Sequence, residues 1–163
     1  MFDYLLDTSL VSRLLDTDHK DHDAATAWEQ ALPAESRKVI SVVALAELRF
    51  GLELAKHANR VAVLSRLEDI LRRAELHDPL PITRTTGYEY AVLKANLVQA
   101  RMPKKLAHAG KASWGNPETW LDEYTGQVLG TQENDLWQCA QAVERNLVLA
   151  TSDKGAQAIA AAS

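Results

Sequence analysis

The chain has 163 residues, of which 47% are hydrophobic and 25% are charged, the composition of an ordinary globular protein with one sizeable core. Its net charge of −4 argues against nonspecific binding to nucleic acid, and its single cysteine, Cys139, excludes an intrachain disulfide and a thiolate metal cluster. The N-terminal apolar stretch is too short to span a bilayer and lacks a basic leader. We therefore predict one cytosolic domain over residues 1–163.

Short apolar runs alternate with helical stripes in the first half of the chain. Residues 2–6 form an apolar run that is too short for a helix and is typical of a buried strand, which ends at Asp7. Thr8 and Ser9 follow as candidate N-caps of a helix. The next predicted elements are a helix around Ala24 and Trp28, a strand at 37–43 and a helix from Ala44. Glu47 lies in that last helix, beside its buried stripe.

The second half continues the alternation and adds one irregular segment. The predicted elements are a helix at 61–71, a short edge strand at 80–83, a helix at 88–95, a helix from Asp135 and a strand at 146–151. Residues 101–118 lack a clear period and contain Pro, Gly and several basic groups, so they are predicted to form a long loop or gate. The alternation of strands and helices predicts an α/β fold with a mostly parallel central sheet.

Four carboxylates lie at or just past the ends of apolar runs; they are Asp7, Glu47, Asp135 and Asp153. In open parallel sheets, ligands bind outside the carboxyl ends of the strands, and right-handed crossovers return the chain to that edge. We therefore expect the four acids to share one cleft. Crowded like charges are costly unless a cation neutralises them, so this convergence indicates a divalent metal site. Each acid taken singly is an ordinary cap or helix-surface residue.

Oxygen ligands of this kind suit Mg²⁺ or Mn²⁺, which retain water and pair with substrate phosphates. Such a metal lowers the pKa of bound water and neutralises charge on a phosphoryl group, which predicts phosphodiester hydrolysis by a metal-activated water. The hydroxyls of Thr8, Ser9 and Thr151 are placed to hold water or to orient the carboxylates. Arg13, close to the first acid in sequence, either contacts substrate phosphate or balances charge.

Four segments occur in this order along the chain: YLLDTSLVSRLL, ISVVALAELRFGLELA, NDLWQCAQAVERN and LVLATSD. Together they resemble the PIN-domain ribonucleases, in particular the VapC-like toxins of bacterial toxin–antitoxin pairs. The resemblance covers most of the chain, and the ordered set is far more specific than any one segment. It implies an acidic metal site with Ser9 or Thr151 assisting; the acids of that site are Asp7, Glu47, Asp135 and Asp153.

The resemblance also implies a three-layer α/β/α fold, cleavage of RNA that depends on Mg²⁺ or Mn²⁺, a homodimer, and inhibition by an antitoxin whose tail covers the acidic cleft. We therefore predict a cytoplasmic endoribonuclease that is the toxin of a type II pair and binds no membrane. Two other functions stay open: a noncatalytic PIN-like module that binds RNA or a protein, and a housekeeping RNA-processing nuclease. The complete acidic set favours cleavage, because a noncatalytic binder of polyanions gains nothing from four carboxylates.

Basic side chains cluster in the predicted loop ahead of Trp114 and Trp120; they are Arg101, Lys104, Lys105, His108 and Lys111. One interpretation is that the lysines of this cluster bind the backbone of RNA while a tryptophan ring stacks on an unpaired base. The other is a solvated loop whose tryptophans pack on the body of the protein. The sequence supports both interpretations about equally, since stacking requires exposed rings.

Overall fold

The computed structural model describes residues 2–108 and 114–162, and the chain divides into two compact units. The first unit comprises Met1–Ile82 and Asn146–Ser152, and the second comprises Thr83–Arg145 and Asp153–Ser163. The single PIN-like domain over residues 1–163 stays a prediction.

The first unit contains a three-stranded parallel sheet. Its strands are β1 (Tyr4–Leu6), β2 (Lys38–Ile40) and β3 (Val148–Ala150), in the spatial order β2-β1-β3. Leu5 in the central strand lies opposite Val39 on one side and Leu149 on the other. Because the strands are parallel, their carboxyl ends meet at one edge, where Asp7 follows β1. The α/β class and the parallel sheet predicted from the sequence are confirmed.

Helices of the first unit pack on this sheet through a shared apolar core. They are α1 (Thr8–Leu15), α2 (His22–Gln30), α3 (Val42–His57) and α4 (Val61–Glu75). The buried cluster that joins sheet and helices consists of Leu6, Val11, Ile40, Ala44, Ala74 and Ala150. Removing this apolar surface from water is the main force that keeps α1 and α3 against the strand ends.

The start of α3 and the segment at 80–83 differ from the sequence prediction. The strand predicted at 37–43 is shorter, because Ser41 caps α3 by accepting a hydrogen bond from Val43 N at 2.9 Å. An N-cap ends the extended backbone, so α3 begins earlier than its apolar spacing predicts. The edge strand predicted at 80–83 is wrong: Leu80 forms only an isolated bridge to Ser41, since the adjacent prolines lack the amide donors that a strand requires.

The second unit is built of helices. Its elements are α5 (Arg84–Arg101), α6 (Pro103–Ala107), a 3-10 turn at Pro117–Thr119, α7 (Glu133–Glu144) and α8 (Lys154–Ala160). Thr83 and Thr86 form a capping box at the start of α5, and both hydroxyls also donate to the Glu144 carboxylate at the end of α7. Among the residues that the structure describes, none of the helices combines the length and the apolar composition that crossing a bilayer requires.

The segment at 101–118 contains more helix than the sequence predicts. The last residue of α5 is Arg101, and α6 follows almost at once. The carboxylate of Glu123 accepts hydrogen bonds from Lys104 N at 2.8 Å and from Lys105 N at 2.7 Å. These bonds satisfy two amides at the start of α6, which explains a helix in a stretch that has no apolar period.

Candidate active site

Asp7 stands at the carboxyl end of β1 and caps α1. Its Oδ1 accepts the N-cap hydrogen bond from Ser9 N at 2.9 Å. Its Oδ2 accepts from two hydroxyls, Ser9 Oγ at 2.9 Å and Thr151 Oγ1 at 2.5 Å. An ionised carboxylate offers about four acceptor positions. Three donors therefore fix the orientation of the half-buried side chain and leave it able to bind a cation.

Glu47 lies in the second turn of α3 and is half-buried. Thr8 Oγ1 donates a hydrogen bond to Glu47 Oε2. Thr8 is the first residue of α1 and directly follows Asp7, so this contact connects α3 to the N-terminus of α1. Within the first unit, the hydroxyls of Thr8, Ser9 and Thr151 thus all contact the carboxylates of Asp7 or Glu47.

Asp135 and Asp153 belong to the second unit, and both lie at helix N-termini. Asp135 is the third residue of α7, and its Oδ2 accepts from Gln132 N at 2.8 Å in a capping box. Asp153 is the N-cap of α8, where its Oδ1 accepts from Gly155 N at 2.6 Å and from Ala156 N at 3.4 Å. A negative side chain is favoured at this end of the helix dipole.

Gly155 allows the carboxylates of Asp135 and Asp153 to approach the same point. A Cβ atom at position 155 would lie 2.8 Å from Asp135 Oδ2, 2.9 Å from Asp153 Oδ1 and 2.7 Å from Gly130 O. Side-chain carbons do not approach other atoms so closely without displacing them. The absence of a side chain is therefore what lets three oxygen atoms surround the first turn of α8.

The donor chemistry of these acids fits a hard divalent cation. Mg²⁺ is usually held by one or two carboxylates together with water and substrate phosphate. Each compact unit supplies one pair of carboxylates that hydroxyl or amide donors hold in place. Within the described part of the chain, no three carboxylate, imidazole or thiol side chains form a group that could hold a metal ion by themselves. Carboxylate oxygens of this kind suit a cation whose remaining ligands are water and phosphate oxygens.

Arg13 on α1 is held beside the end of β3. Its Nη1 donates to Ser152 Oγ at 3.1 Å, and its Nε lies 3.8 Å from Asp21 Oδ2. Ser152 directly follows Thr151, whose hydroxyl contacts the Asp7 carboxylate. The guanidinium therefore lies in the neighbourhood of the first acid pair, with part of its charge offset by Asp21.

The two tryptophans of the basic segment have different environments. Trp120 is 2% exposed and its Nε1 donates to Trp114 O at 2.6 Å, so this ring packs inside the second unit and has no free face for a base. Trp114 is half-buried, with Lys105 Nζ 5.2 Å from its ring centroid. The side chains of Lys104 and Lys105 are exposed, and Lys111 lies outside the described residues.

Glu133, at the start of α7, is an acid whose environment the sequence does not predict. Its carboxylate accepts hydrogen bonds from the Tyr90 hydroxyl and from Lys94 Nζ at 3.0 and 3.1 Å. Burial raises the pKa of Glu133, and burial also lowers the pKa of Lys94, although the charge of Glu118 opposes the second shift. Tyr90 and Lys94 are four residues apart on α5, but no sequence pattern pairs that face with α7.

Comparisons with known proteins agree with this architecture. The PIN domain family model matches residues 4–162. A chain in the crystal structure of FitAcB from Neisseria gonorrhoeae has a TM-score of 0.55 and 23% identity, covering 96% of this chain and 93% of that chain. A chain in the crystal structure of VapBC2 from Rickettsia felis, bound to a DNA fragment from its promoter, has a TM-score of 0.61 and 18% identity. The match covers 96% of this chain and 92% of that chain. Among curated proteins, no match is found.

At these identities, the similarity to the two solved structures shows a shared fold. The family match extends over nearly the whole chain, and it includes all four acids and the hydroxyl residues that contact them. It confirms the PIN-like α/β fold that the sequence predicts. The chain therefore belongs to the PIN domain family.

Proposed function

We propose that this protein is a metal-dependent endoribonuclease that hydrolyses RNA phosphodiester bonds. PIN domains are generally nucleases, which supports a hydrolase of this class. The observation that carries the proposal is the hydrogen bonding of Asp7. A helix N-cap needs one acceptor oxygen, whereas Asp7 uses both oxygens and receives two additional hydroxyl donors. A cap alone does not require those donors, but an oriented metal ligand does.

In this proposal the side chains of the protein orient the carboxylates and neutralise the charge of the phosphate. They do not themselves attack the phosphate. The Ser9 and Thr151 hydroxyls fix the Asp7 carboxylate, and the Thr8 hydroxyl fixes Glu47. Carboxylates held in this way accept a proton from the attacking water without first reorienting. Helix N-termini such as that of α7 favour the negative charge of a substrate phosphate.

Mg²⁺ or Mn²⁺ is the proposed cofactor, because the candidate ligands are oxygen atoms and these cations prefer oxygen. When bound, such a cation lowers the pKa of water and neutralises negative charge on the phosphate under attack. Asp7, Glu47, Asp135 and Asp153 are the residues that we propose to hold it, directly or through water. The basic side chains proposed to contact RNA are Arg13, Lys104, Lys105 and Lys111.

We further propose that the protein is the toxin of a type II toxin–antitoxin pair, with a cognate antitoxin as its partner. The sequence resembles VapC-like toxins, and VapBC2 is among the structures that share the fold. The same resemblance supports a homodimer that acts in the cytoplasm, where its RNA substrate is present. An antitoxin that covers the acidic cleft would block access of RNA to the cation.

Cleavage of a structured RNA by purified protein, with Mg²⁺ or Mn²⁺, tests the nuclease activity. Asn caps a helix as well as Asp does, so Asp7→Asn keeps α1 while removing a charge. We expect cleavage to fall by about 100-fold or more, beyond the usual loss for a group that only orients a ligand. Asp3→Asn is the matched control, because Asp3 precedes β1 and contacts Arg37. This variant should cleave RNA as the wild type does.

Two results would contradict the nuclease proposal. Equal cleavage by wild type and Asp7→Asn would indicate contamination or another site. Binding of RNA without cleavage by any form of the protein would favour the noncatalytic binding module.

Induced expression tests the toxin assignment separately. We expect growth arrest when the protein is expressed alone, and recovery when the neighbouring open reading frame is expressed with it. The Asp7→Asn variant should cause no arrest, because arrest is expected to require cleavage. Cleavage in vitro without arrest in cells would favour the housekeeping nuclease over the toxin.

A further inference from the structure

A cavity of about 580 Å³ opens beside β3 in the first unit. Residues of α1 and α2 line two of its sides, and residues 148–152 line a third. Pockets that hold small organic ligands in proteins typically measure roughly 300–1,000 Å³. The roles proposed for the four acids make no use of this space.

An indole ring provides a flat wall of the cavity. Trp28 on α2 is half-buried, and its ring meets that of Tyr4 edge to face, with 6.0 Å between centroids and an angle of 89° between the planes. Leu10 and Ala25 add to the apolar lining. Because the Tyr4 contact restrains the indole, a planar group that enters the cavity meets a stacking surface that is already formed.

The polar groups of the cavity connect it to Asp7. Thr151 lines the cavity and donates to Asp7 Oδ2 at 2.5 Å. Ser152 also lines it, and its Oγ accepts from Arg13 Nη1, so the serine hydroxyl can still donate to a ligand. Arg13 and Asp21 are the charged side chains of the described lining. Thr151 therefore borders both the cavity and the Asp7 carboxylate of the candidate active site.

We propose that this cavity binds an unpaired nucleotide adjacent to the scissile phosphate, with its base against Trp28 and its phosphate at Arg13. The inference rests on the proposed RNA cleavage and names the part of the substrate that the protein recognises. The aromatic and apolar walls suit the faces of a base, and the hydroxyl of Ser152 suits its hydrogen-bonding edge. A base that stacks on protein must be unpaired, so the substrate is single-stranded at this position.

Charge and position favour a nucleotide over a peptide side chain as the occupant. The guanidinium of Arg13 matches phosphate oxygens, and its 3.8 Å contact with Asp21 is longer than a direct hydrogen bond, so a phosphate can compete for it. A scissile phosphate at Asp7 places the neighbouring nucleotide of the same strand within reach of this cavity. Trp28 thereby becomes a residue that determines which base lies beside the cleaved bond.

Trp28→Leu tests this inference in metal-dependent cleavage of single-stranded RNA of randomised sequence. We expect KM to rise about tenfold, the effect of losing one stacked base, while kcat changes little. The preference for a particular base beside the cleaved bond should become weaker. Phe50→Leu on α3, whose ring is 64% exposed, is the matched control and should alter neither quantity. Unchanged KM and base preference in Trp28→Leu would overturn the inference and leave the nuclease assignment intact.

A second measurement uses the unaltered protein and depends neither on cleavage nor on how Trp28→Leu folds. Each of the four nucleoside 5′-monophosphates is titrated while the indole N–H signals of the tryptophans are followed by NMR. We expect the Trp28 signal to shift and saturate, and the signals of Trp120 and Trp137 to stay in place. A Trp28 signal that does not move, or that ribose 5-phosphate moves equally, would overturn the inference. If the wild type cleaves no RNA, the proposed function fails, whereas this titration still decides whether the cavity binds a nucleotide.

Discussion

Asp7 combines two roles on its two carboxylate oxygens. Oδ1 caps α1 through Ser9 N, a contact that stabilises a helix by about 1 kcal/mol. Oδ2 receives the hydroxyls of Ser9 and Thr151, which restrain the carboxylate without contributing to the cap. Thr151 is therefore a positioning residue in the proposed site, and its effect on metal binding can be separated from its effect on the fold.

Thr151→Val removes the hydroxyl and keeps the shape of the side chain. We expect the affinity for Mn²⁺, measured by calorimetric titration, to fall by about 10- to 100-fold, as is usual when a group that orients a metal ligand is lost. RNA cleavage should fall in the same range. Thr119→Val in the 3-10 turn is the control, because its exposed hydroxyl donates to Asn116 O rather than to a carboxylate of the proposed site. A Thr151→Val variant that binds Mn²⁺ as tightly as the wild type does would show that Thr151 is not part of the proposed site.

Gly155→Ala introduces a Cβ atom that meets three oxygen atoms at less than 3.0 Å. One of them is the backbone carbonyl of Gly130, which cannot move as a side chain does. We expect the free energy of unfolding to fall by about 1–3 kcal/mol, measured with urea. Gly51→Ala in α3 is the matched control: its Cβ meets nothing within 4 Å, and the change should stabilise by roughly 0.5–1 kcal/mol. Equal effects of the two substitutions would contradict the close approach at Gly155.

The ends of the strands are the elements that the sequence predicts best. The apolar runs of β1 and β3 stop at polar residues, and Asp7 caps the next helix by a purely local hydrogen bond. Asp153 caps α8 in the same way, but the alanine-rich sequence after it has no apolar period, so α8 is not predicted. The caps of Asp7 and Asp153 are local and follow from the sequence, whereas the contact of Glu47 with Thr8 joins residues far apart along the chain.

Elements that depend on distant partners are not predictable in this way. The helix α6 forms because Glu123, about 20 residues further on, satisfies its first amides. Asp16 lies among several other acidic residues at 16–23, yet it is buried and paired with Arg66 of α4. Glu144 accepts hydrogen bonds from Thr83 and Thr86, far from it along the chain. No local pattern of residues encodes these contacts.

Glu144 links the stability of the α5–α7 pair to pH. Burial opposes its ionisation, but hydrogen bonds from Thr83 and Thr86 and the charge of Arg145 outweigh burial and lower the pKa of Glu144 below its usual value. A carboxyl group with a lowered folded pKa stabilises the fold at pH values above its unfolded pKa of about 4.3. That stabilisation is lost as the pH falls through the folded pKa.

We therefore expect Glu144→Gln to lower the free energy of unfolding by about 1–3 kcal/mol at neutral pH, the usual contribution of hydrogen bonds to a charged group. The loss should shrink at acid pH, where the wild-type carboxyl group is itself protonated. Urea denaturation at neutral pH and at acid pH measures the free energy of unfolding of the wild type and of the variant. Glu68→Gln, at an exposed position on α4, is the control and should be neutral at either pH. A loss from Glu144→Gln that is the same at both pH values would contradict the role given to its charge.

At the scale of the whole molecule, the four acids are divided equally between the two compact units. The net charge of −4 opposes the approach of RNA, so the proposed function requires a cation that reverses the local charge. The cation of the proposed function also couples metal binding to the stability of the folded protein. A ligand that binds only the folded state stabilises it by about 2.7 kcal/mol at 100 times its Kd.

Differential scanning calorimetry measures this coupling. We expect saturating Mn²⁺ to raise the Tm of the wild type. Asp7→Asn and Asp153→Asn should each abolish most of the increase, because each removes a proposed ligand of the ion. An increase that survives in either variant would indicate that the ion binds elsewhere.

Anomalous diffraction from crystals soaked in Mn²⁺ is the most direct test of the proposed metal centre. We predict an Mn²⁺ ion that has carboxylate oxygens of both Asp7 and Asp153 among its ligands, with Glu47 and Asp135 bound to it directly or through water. Mn²⁺ bound without these residues, or Asp7 and Asp153 too far apart to share one ion, would contradict the account.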